Sequence, residues 1–214
     1  DVRSSLTPEL RNMPDTALML IDLGRGRNRL GASILAQCWT AVGGYPPDCD
    51  ETSDLADFFR VVQILNDGGY LLAYHDRSDG GMLTTLAEMA FAGRLGVTVD
   101  VTELGKDPIA ALFCEELGAV VQVRISDIDA IRSHVREATS LTDCVHIVGQ
   151  PTKERSLRIW NKNRTIYHRD LYNLLKNYTT TTHAMQRARD NPECADQELA
   201  TILDSSDPGL SFSI

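Results

Sequence analysis

The sequence has few features of a membrane, secreted or nucleic-acid-binding protein. It contains no apolar run of about 18 residues, the length that a membrane-spanning helix needs. Its five cysteines are scattered without a CxxC pair, which disfavours a zinc site or a disulfide framework and favours a reducing compartment. A net charge of −9 argues against non-specific binding to nucleic acid or to an anionic membrane. We therefore predict a cytoplasmic protein that binds neither nucleic acid nor membranes, and a phosphorylated small molecule remains compatible with this charge.

Several catalytic patterns are also missing. No GxSxG serine motif occurs, and the histidines lack partners at metal-ligand spacing. The start of the chain shows neither an initiator methionine nor a signal peptide, so we expect a piece of a longer protein. Its 214 residues suffice for one large domain with an appendage.

Strand and helix patterns alternate in the first half of the chain, and strands cluster later. Apolar or alternating runs predict strands at residues 16–23, 70–73, 97–101, 119–125, 145–148, 157–160 and 165–168. Helical spacing predicts helices at residues 30–39, 54–66, 82–93, 108–115 and 126–138. This order predicts an α/β fold with a mixed β-sheet flanked by helices. We assign residues 1–168 to this domain and residues 169–214 to a helical and extended arm, polar after Arg189.

The most informative segment is His-Asp-Arg-Ser-Asp-Gly-Gly at residues 75–81. It continues an apolar strand and directly precedes a helix, which is a common place for a phosphate or a metal-bound nucleotide. Asp76 offers a hard oxygen ligand that suits Mg²⁺ held between protein and phosphates. Ser78 offers a hydroxyl and a backbone N–H close to the helix start.

The end of the same segment predicts how the chain turns into the helix. Asp79 is placed to cap the helix, and Gly80 and Gly81 let a ligand come close to the backbone because no Cβ intervenes. The alternative interpretation is a well-capped strand–helix turn whose charges are solvated.

Two other charged segments have an ordinary interpretation that we favour. The loop at residues 24–29 resembles a dinucleotide fingerprint, but Arg29 stands where the third glycine is needed, so its arginines are expected to be solvated. The pair Glu115 and Glu116 could serve as acid and base or hold a metal. A solvated helix end is the more common situation for such a pair.

At these residues the sequence resembles a known family. Residues 75–81 with residues 86–93 are similar to the large, single-chain phosphoribosylformylglycinamidine synthases of purine biosynthesis. Further similar segments lie at residues 20–24, 30–37, 115–123 and 189–198, and the last is specific to the long bacterial and eukaryotic form. The resemblance covers almost the whole chain, is weakest over residues 155–182, and departs at Met82, where leucine is expected.

The resemblance implies a fold, a reaction and site residues. It implies the second aminoimidazole-ribonucleotide (AIR)-synthase-like C-terminal domain of such a ligase, which uses ATP and glutamine to convert formylglycinamide ribonucleotide to the amidine, with ADP, phosphate and glutamate as products. It implies that Asp76 is a magnesium ligand, that Ser78 contacts the nucleotide, and that Gly80 and Gly81 form a phosphate-facing turn. The expected cofactors are Mg²⁺ and ATP or ADP.

The resemblance also implies what the chain lacks. The ATP-binding half and the glutaminase domain would be other domains of the parent enzyme, and no residue here is expected to be catalytic. Two alternatives stay open: a non-catalytic scaffold that holds a structural nucleotide, and another ATP-dependent enzyme of the AIR-synthase superfamily.

Overall fold

The computed structural model describes residues 5–42 and 44–207. The chain divides into two compact units between His168 and Arg169. The first four residues of the α/β domain and the end of the arm from residue 208 lie outside the described residues. No helix in the described ranges is long and apolar enough to cross a membrane.

The described residues form seven strands and seven α-helices. All seven strands and the first five helices come before the last two helices in the chain. The strands are β1 (Thr16–Asp22), β2 (Leu71–Asp76), β3 (Gly96–Asp100), β4 (Gly118–Arg124), β5 (Val145–Thr152), β6 (Ser156–Asn161) and β7 (Arg164–Asp170). The helices are α1 (Ile34–Cys38), α2 (Thr52–Asp67), α3 (Gly81–Gly93), α4 (Pro108–Phe113), α5 (Ile128–Ala138), α6 (Leu171–Arg189) and α7 (Pro192–Leu203).

All seven strands belong to one mixed sheet in the order β2-β4-β1-β5-β3-β6-β7. Both β1 and β2 pair antiparallel with β4, whereas β3 and β6 are parallel. Because β1 and β2 run in the same direction, their final residues meet the same end of β4: Asp22 pairs with Gly118, and Asp76 pairs with Ala119. The predicted α/β fold with a mixed sheet and flanking helices is confirmed.

One face of this part of the sheet packs against α2 and α5. Every residue of β1 is buried. Alternate β1 residues such as Met19 belong to one buried cluster with residues one helical turn apart, namely Val61 and Leu65 on α2 and Ile131 and Val135 on α5. These periods of two and of about 3.6 residues are the patterns from which the strands and helices were predicted. The packing holds the ends of β1, β2 and β4 in fixed positions.

The C-terminal segment is helical as far as Leu203. Helix α7 occupies most of the polar stretch after Arg189, which was predicted as part of a helical and extended arm. The Asn191 side chain accepts hydrogen bonds from the N–H groups of Glu193 and Cys194, and Pro192 occupies the first helical turn. An asparagine cap followed by proline is a helix start signal, because proline fixes φ where no N–H is needed.

Candidate functional site

The segment at residues 75–81 connects the end of β2 to the start of α3, as the sequence predicts. Its side chains alternate between surface and interior: Asp76 and Ser78 are exposed, and Arg77 between them is buried. Successive side chains of an extended backbone point in opposite directions. Burial of Arg77 therefore presents Asp76 and Ser78 together on the outer side of the turn.

Arg77 fixes the turn to the ends of two neighbouring strands. Its Nη2 donates to Asp22 Oδ1 at 2.5 Å and to the Leu117 carbonyl at 3.0 Å, and its Nε donates to the Glu116 carbonyl at 2.6 Å. Its backbone N–H also donates to the Gly118 carbonyl at 2.9 Å. A buried guanidinium needs such partners, because an unpaired buried charge is costly. Sequence reasoning missed this role of Arg77, and the signal available was its position between two residues assigned to the candidate site.

The Asp76 side chain is held by a neighbour on the same face of β2. The Tyr74 hydroxyl donates to Asp76 Oδ1 at 2.5 Å, which is possible because residues two apart on a strand lie on one face. Burial raises the pKa of the Tyr74 hydroxyl above its usual value, and the hydrogen bond to Asp76 adds to this effect. Tyr74 is therefore a protonated donor at neutral pH.

The backbone N–H groups of Gly80 and Gly81 donate hydrogen bonds to other residues of the protein. The Gly80 N–H donates to Glu115 Oε1 at 2.8 Å, and the Gly81 N–H donates to the Ser78 carbonyl at 2.9 Å. The same Glu115 oxygen accepts from the Ile34 N–H at 2.9 Å. A carboxylate thus takes the position on Gly80 that a phosphate oxygen would need, and the phosphate-facing turn stays a prediction.

Glycine is required at position 81 for a packing reason that the sequence did not indicate. Its φ is +68°, and a Cβ placed there would lie 2.7 Å from the carbonyl oxygens of Leu112 and Cys114. The end of α4 therefore approaches the backbone of this residue so closely that only glycine fits.

The prediction that Asp79 caps the helix is wrong. The N-cap of α3 is Gly80, which has no side chain to accept a hydrogen bond, and Asp79 is exposed. Gly80 has a φ of +82°, a left-handed conformation in which the chain reverses direction before the helix begins. Such a turn needs no capping carboxylate.

The predictions for the charged segments nearby are wrong for Arg29 and Glu116. Arg25 is exposed, as predicted, although its guanidinium also donates to the buried Asp54 at 2.9 and 3.0 Å. Arg29 donates from Nε and Nη2 to the fully buried Glu116, at 2.8 Å each. Hydrogen bonding to Glu116 raises the pKa of Arg29. These pairs join residues far apart in sequence, which explains why local composition did not reveal them.

A known protein family matches most of this domain. The sequence matches the family described as AIR synthase related protein, C-terminal domain, over residues 31–161. The chain belongs to this family. The predicted membership of the AIR-synthase superfamily is thus confirmed, and the matched range of the AIR-synthase-related domain contains the whole segment at residues 75–81.

Solved structures resemble this AIR-synthase-related domain in fold. Thermotoga maritima PurL complexed with FGAR has a TM-score of 0.61 and 15% identity, with 80% of this chain and 29% of that chain covered. T. maritima PurL complexed with ATP has a TM-score of 0.58 and 14% identity, with 79% of this chain and 27% of that chain covered. Escherichia coli HypE, a hydrogenase maturation protein, has a TM-score of 0.53 and 17% identity, with 76% of this chain and 52% of that chain covered. At these identities the likeness shows the fold alone, and this chain spans less than a third of each PurL chain.

The AIR-synthase-related domain offers few protein ligands for a metal ion. In residues 5–42 and 44–207, no group of three or more histidine, cysteine, aspartate or glutamate side chains is arranged to hold one. His75 is engaged with Glu88, at 2.8 Å between Nε2 and Oε2. Asp76 is exposed and fits a cation only where other ligands complete the coordination. Mg²⁺ is commonly bound this way, by one or two carboxylates together with substrate phosphates and water.

Proposed function

We propose that this domain forms one wall of a Mg²⁺–nucleotide site in a phosphoribosylformylglycinamidine synthase. Such a ligase uses ATP and glutamine to convert formylglycinamide ribonucleotide to formylglycinamidine ribonucleotide, with ADP, phosphate and glutamate as products. One observation carries the proposal: Asp76 and Ser78 lie exposed and adjacent at the strand end, held there by the buried Arg77. The sequence resemblance and the shared fold of PurL complexed with ATP support it.

Each exposed residue has a defined task in this proposal. Asp76 Oδ2 has no hydrogen-bond partner among the described residues and would ligate Mg²⁺. The Ser78 hydroxyl would donate to an oxygen of the nucleotide. When bound, Mg²⁺ neutralises phosphate charge and orients the phosphates. Arg77 keeps Asp76 and Ser78 in position without touching the nucleotide.

The remaining machinery is expected on other domains of a longer protein. An ATP-binding half would supply the opposite wall of the site, and a glutaminase domain would supply ammonia. In this arrangement the present domain binds and orients, and it contributes no acid, base or nucleophile.

A substitution of Asp76 tests the metal role. In the full-length enzyme, Asp76→Asn keeps an oxygen that can accept the Tyr74 hydrogen bond and removes the charge that attracts the cation. We expect Mg²⁺-dependent retention of ADP to weaken by about tenfold or more, since even residues that only support a metal ligand contribute 10–100-fold. Retained ADP is measured after gel filtration, and activity is measured in parallel.

Asp79→Asn is the matched control. Asp79 carries the same charge on the same exposed turn, three residues from Asp76. It should leave ADP retention unchanged. Equal retention by wild type, Asp79→Asn and Asp76→Asn would show that Asp76 holds no metal.

A structural nucleotide site is a second candidate. The Gly80 N–H is already bound by Glu115, so this N–H offers no contact to a phosphate in either kind of site. A structural site would hold a nucleotide without turnover. Labelled ADP that never exchanges during many catalytic cycles would identify a structural site, and exchange at the turnover rate would identify a catalytic one.

A further inference from the structure

The Tyr74 hydroxyl binds only one of the two oxygens of Asp76. The 2.5 Å hydrogen bond ends on Oδ1, and Oδ2 is without a partner in the described part of the chain. Oδ1 keeps a second lone pair, but the hydrogen bond fixes the orientation of the carboxylate and leaves Oδ2 as the more available oxygen. The carboxylate is thereby biased towards binding a cation through one oxygen.

Divalent cations differ in how they use carboxylates. Ca²⁺ accepts six to eight oxygens and often takes both oxygens of one carboxylate, whereas Mg²⁺ requires a small octahedral shell with several waters. A carboxylate biased towards one oxygen therefore suits Mg²⁺ better than Ca²⁺, which often uses both oxygens. The hydrogen bond also fixes the direction of the carboxylate before any ion arrives.

We propose that Tyr74 is a positioning residue that makes Asp76 a one-oxygen ligand and so favours Mg²⁺ over Ca²⁺. This inference rests on the proposed function, because it assumes that Asp76 holds the metal. It adds a residue that determines which cation the site prefers.

The backbone around Asp76 is held independently of Tyr74. The Asp76 carbonyl accepts from the Thr85 hydroxyl at 3.2 Å and contacts His75 Nδ1 at 2.8 Å. Arg77 anchors the next residue to the ends of β1 and β4. Removal of the Tyr74 hydroxyl should therefore free the Asp76 carboxylate to rotate while the turn keeps its path.

The test is Tyr74→Phe in the full-length enzyme, with Tyr70→Phe as the matched control. Tyr70 is a half-buried tyrosine of the same domain whose hydroxyl lies 3.3 Å from His134 Nε2. ADP retention is measured by equilibrium dialysis as a function of Mg²⁺ and, separately, of Ca²⁺. For Tyr74→Phe we expect the Mg²⁺ concentration for half-maximal retention to rise about tenfold, with Ca²⁺ unchanged or better. Tyr70→Phe should change neither value.

The double variant Tyr74→Phe/Asp76→Asn supplies a second measurement. Without the Asp76 charge the hydroxyl has no ligand to orient, so Tyr74→Phe should add no further loss to Asp76→Asn. Melting temperatures of all variants are compared, so that an unfolded variant is recognised and the remaining variants decide.

Three results would overturn the inference. If Asp76→Asn weakens retention and Tyr74→Phe does not, Tyr74 has no positioning role, and the proposed function stands. If Tyr74→Phe weakens Mg²⁺ and Ca²⁺ dependence equally and lowers the melting temperature, its role is structural. If Asp76→Asn itself has no effect, the proposed metal site fails and the inference fails with it.

Discussion

Gly81→Ala tests whether the glycine is required by the protein's own packing, without any nucleotide. A Cβ at this position would lie 2.7 Å from the carbonyl oxygens of Leu112 and Cys114, near the end of α4. These are backbone atoms, so they cannot rotate away as the end of a flexible side chain can. The substitution should therefore force α3 and the end of α4 apart.

The cost can be separated into two parts by comparison with Gly69→Ala. Gly69 has nearly the same φ, +69° against +68°, but no atom lies within 4 Å of the position that its Cβ would take. Both substitutions place alanine in a left-handed conformation, which costs about 1–2 kcal/mol. Only Gly81→Ala adds overpacking, which typically costs about 1–3 kcal/mol. The gain from a stiffer unfolded chain is the same for both and cancels in the difference.

Urea unfolding followed by circular dichroism measures the difference. With a urea dependence of about 2 kcal/mol per molar, the midpoint of Gly81→Ala should lie about 0.5–1.5 M below that of Gly69→Ala. Equal midpoints for the two variants would refute the close approach of α4. A loss of nucleotide binding in Gly81→Ala without any loss of stability would instead favour the phosphate-facing role.

Two further predictions concern buried and surface charges. Arg77→Met should lower the free energy of unfolding by about 3–5 kcal/mol, because it leaves the buried Asp22 carboxylate without its guanidinium partner. Adding Asp22→Asn to Arg77→Met should recover part of this loss, as measured by urea titration. Purely additive effects of the two substitutions would contradict the pairing. The backbone N–H of Ser140 holds the pKa of Asp57 below its usual value, so the stabilisation is present above about pH 4 and is lost as the pH falls through the folded-state pKa. Acid unfolding of Asp57→Asn should accordingly show a weaker pH dependence below about pH 4 than wild type, and identical curves would exclude this contribution.

The candidate site was predictable in part, for a local physical reason. An apolar run, a polar stretch and two glycines before a helical pattern determine a strand–turn–helix unit through interactions between near neighbours in sequence. The exposure of Asp76 and Ser78 follows from the same alternation. The hydrogen bond from Tyr74 to Asp76 also spans only two residues, so the sequence contained that information although its geometry was not evident.

The partners of the other charged residues could not be predicted in this way. Glu116 and Arg29 are 87 positions apart, and Arg77 and Asp22 are 55 apart. Each was assigned to solvent or left without a role because surface exposure is the usual state of a charged residue. Burial at the ends of the strands reversed that expectation, since a buried charge persists only with a partner.

The sequence by itself determined the strands, most of the helices and the position of Asp76 and Ser78 between a strand and a helix, because periodicity and turn chemistry act over a few residues. Tertiary structure alone decided the strand order, and with it the meeting of β1, β2 and β4 at one end of the sheet. That meeting buries Arg77 against Asp22 and brings Glu115 to the N–H of Gly80. Contacts between distant segments depend on how whole elements pack, and no local pattern encodes them.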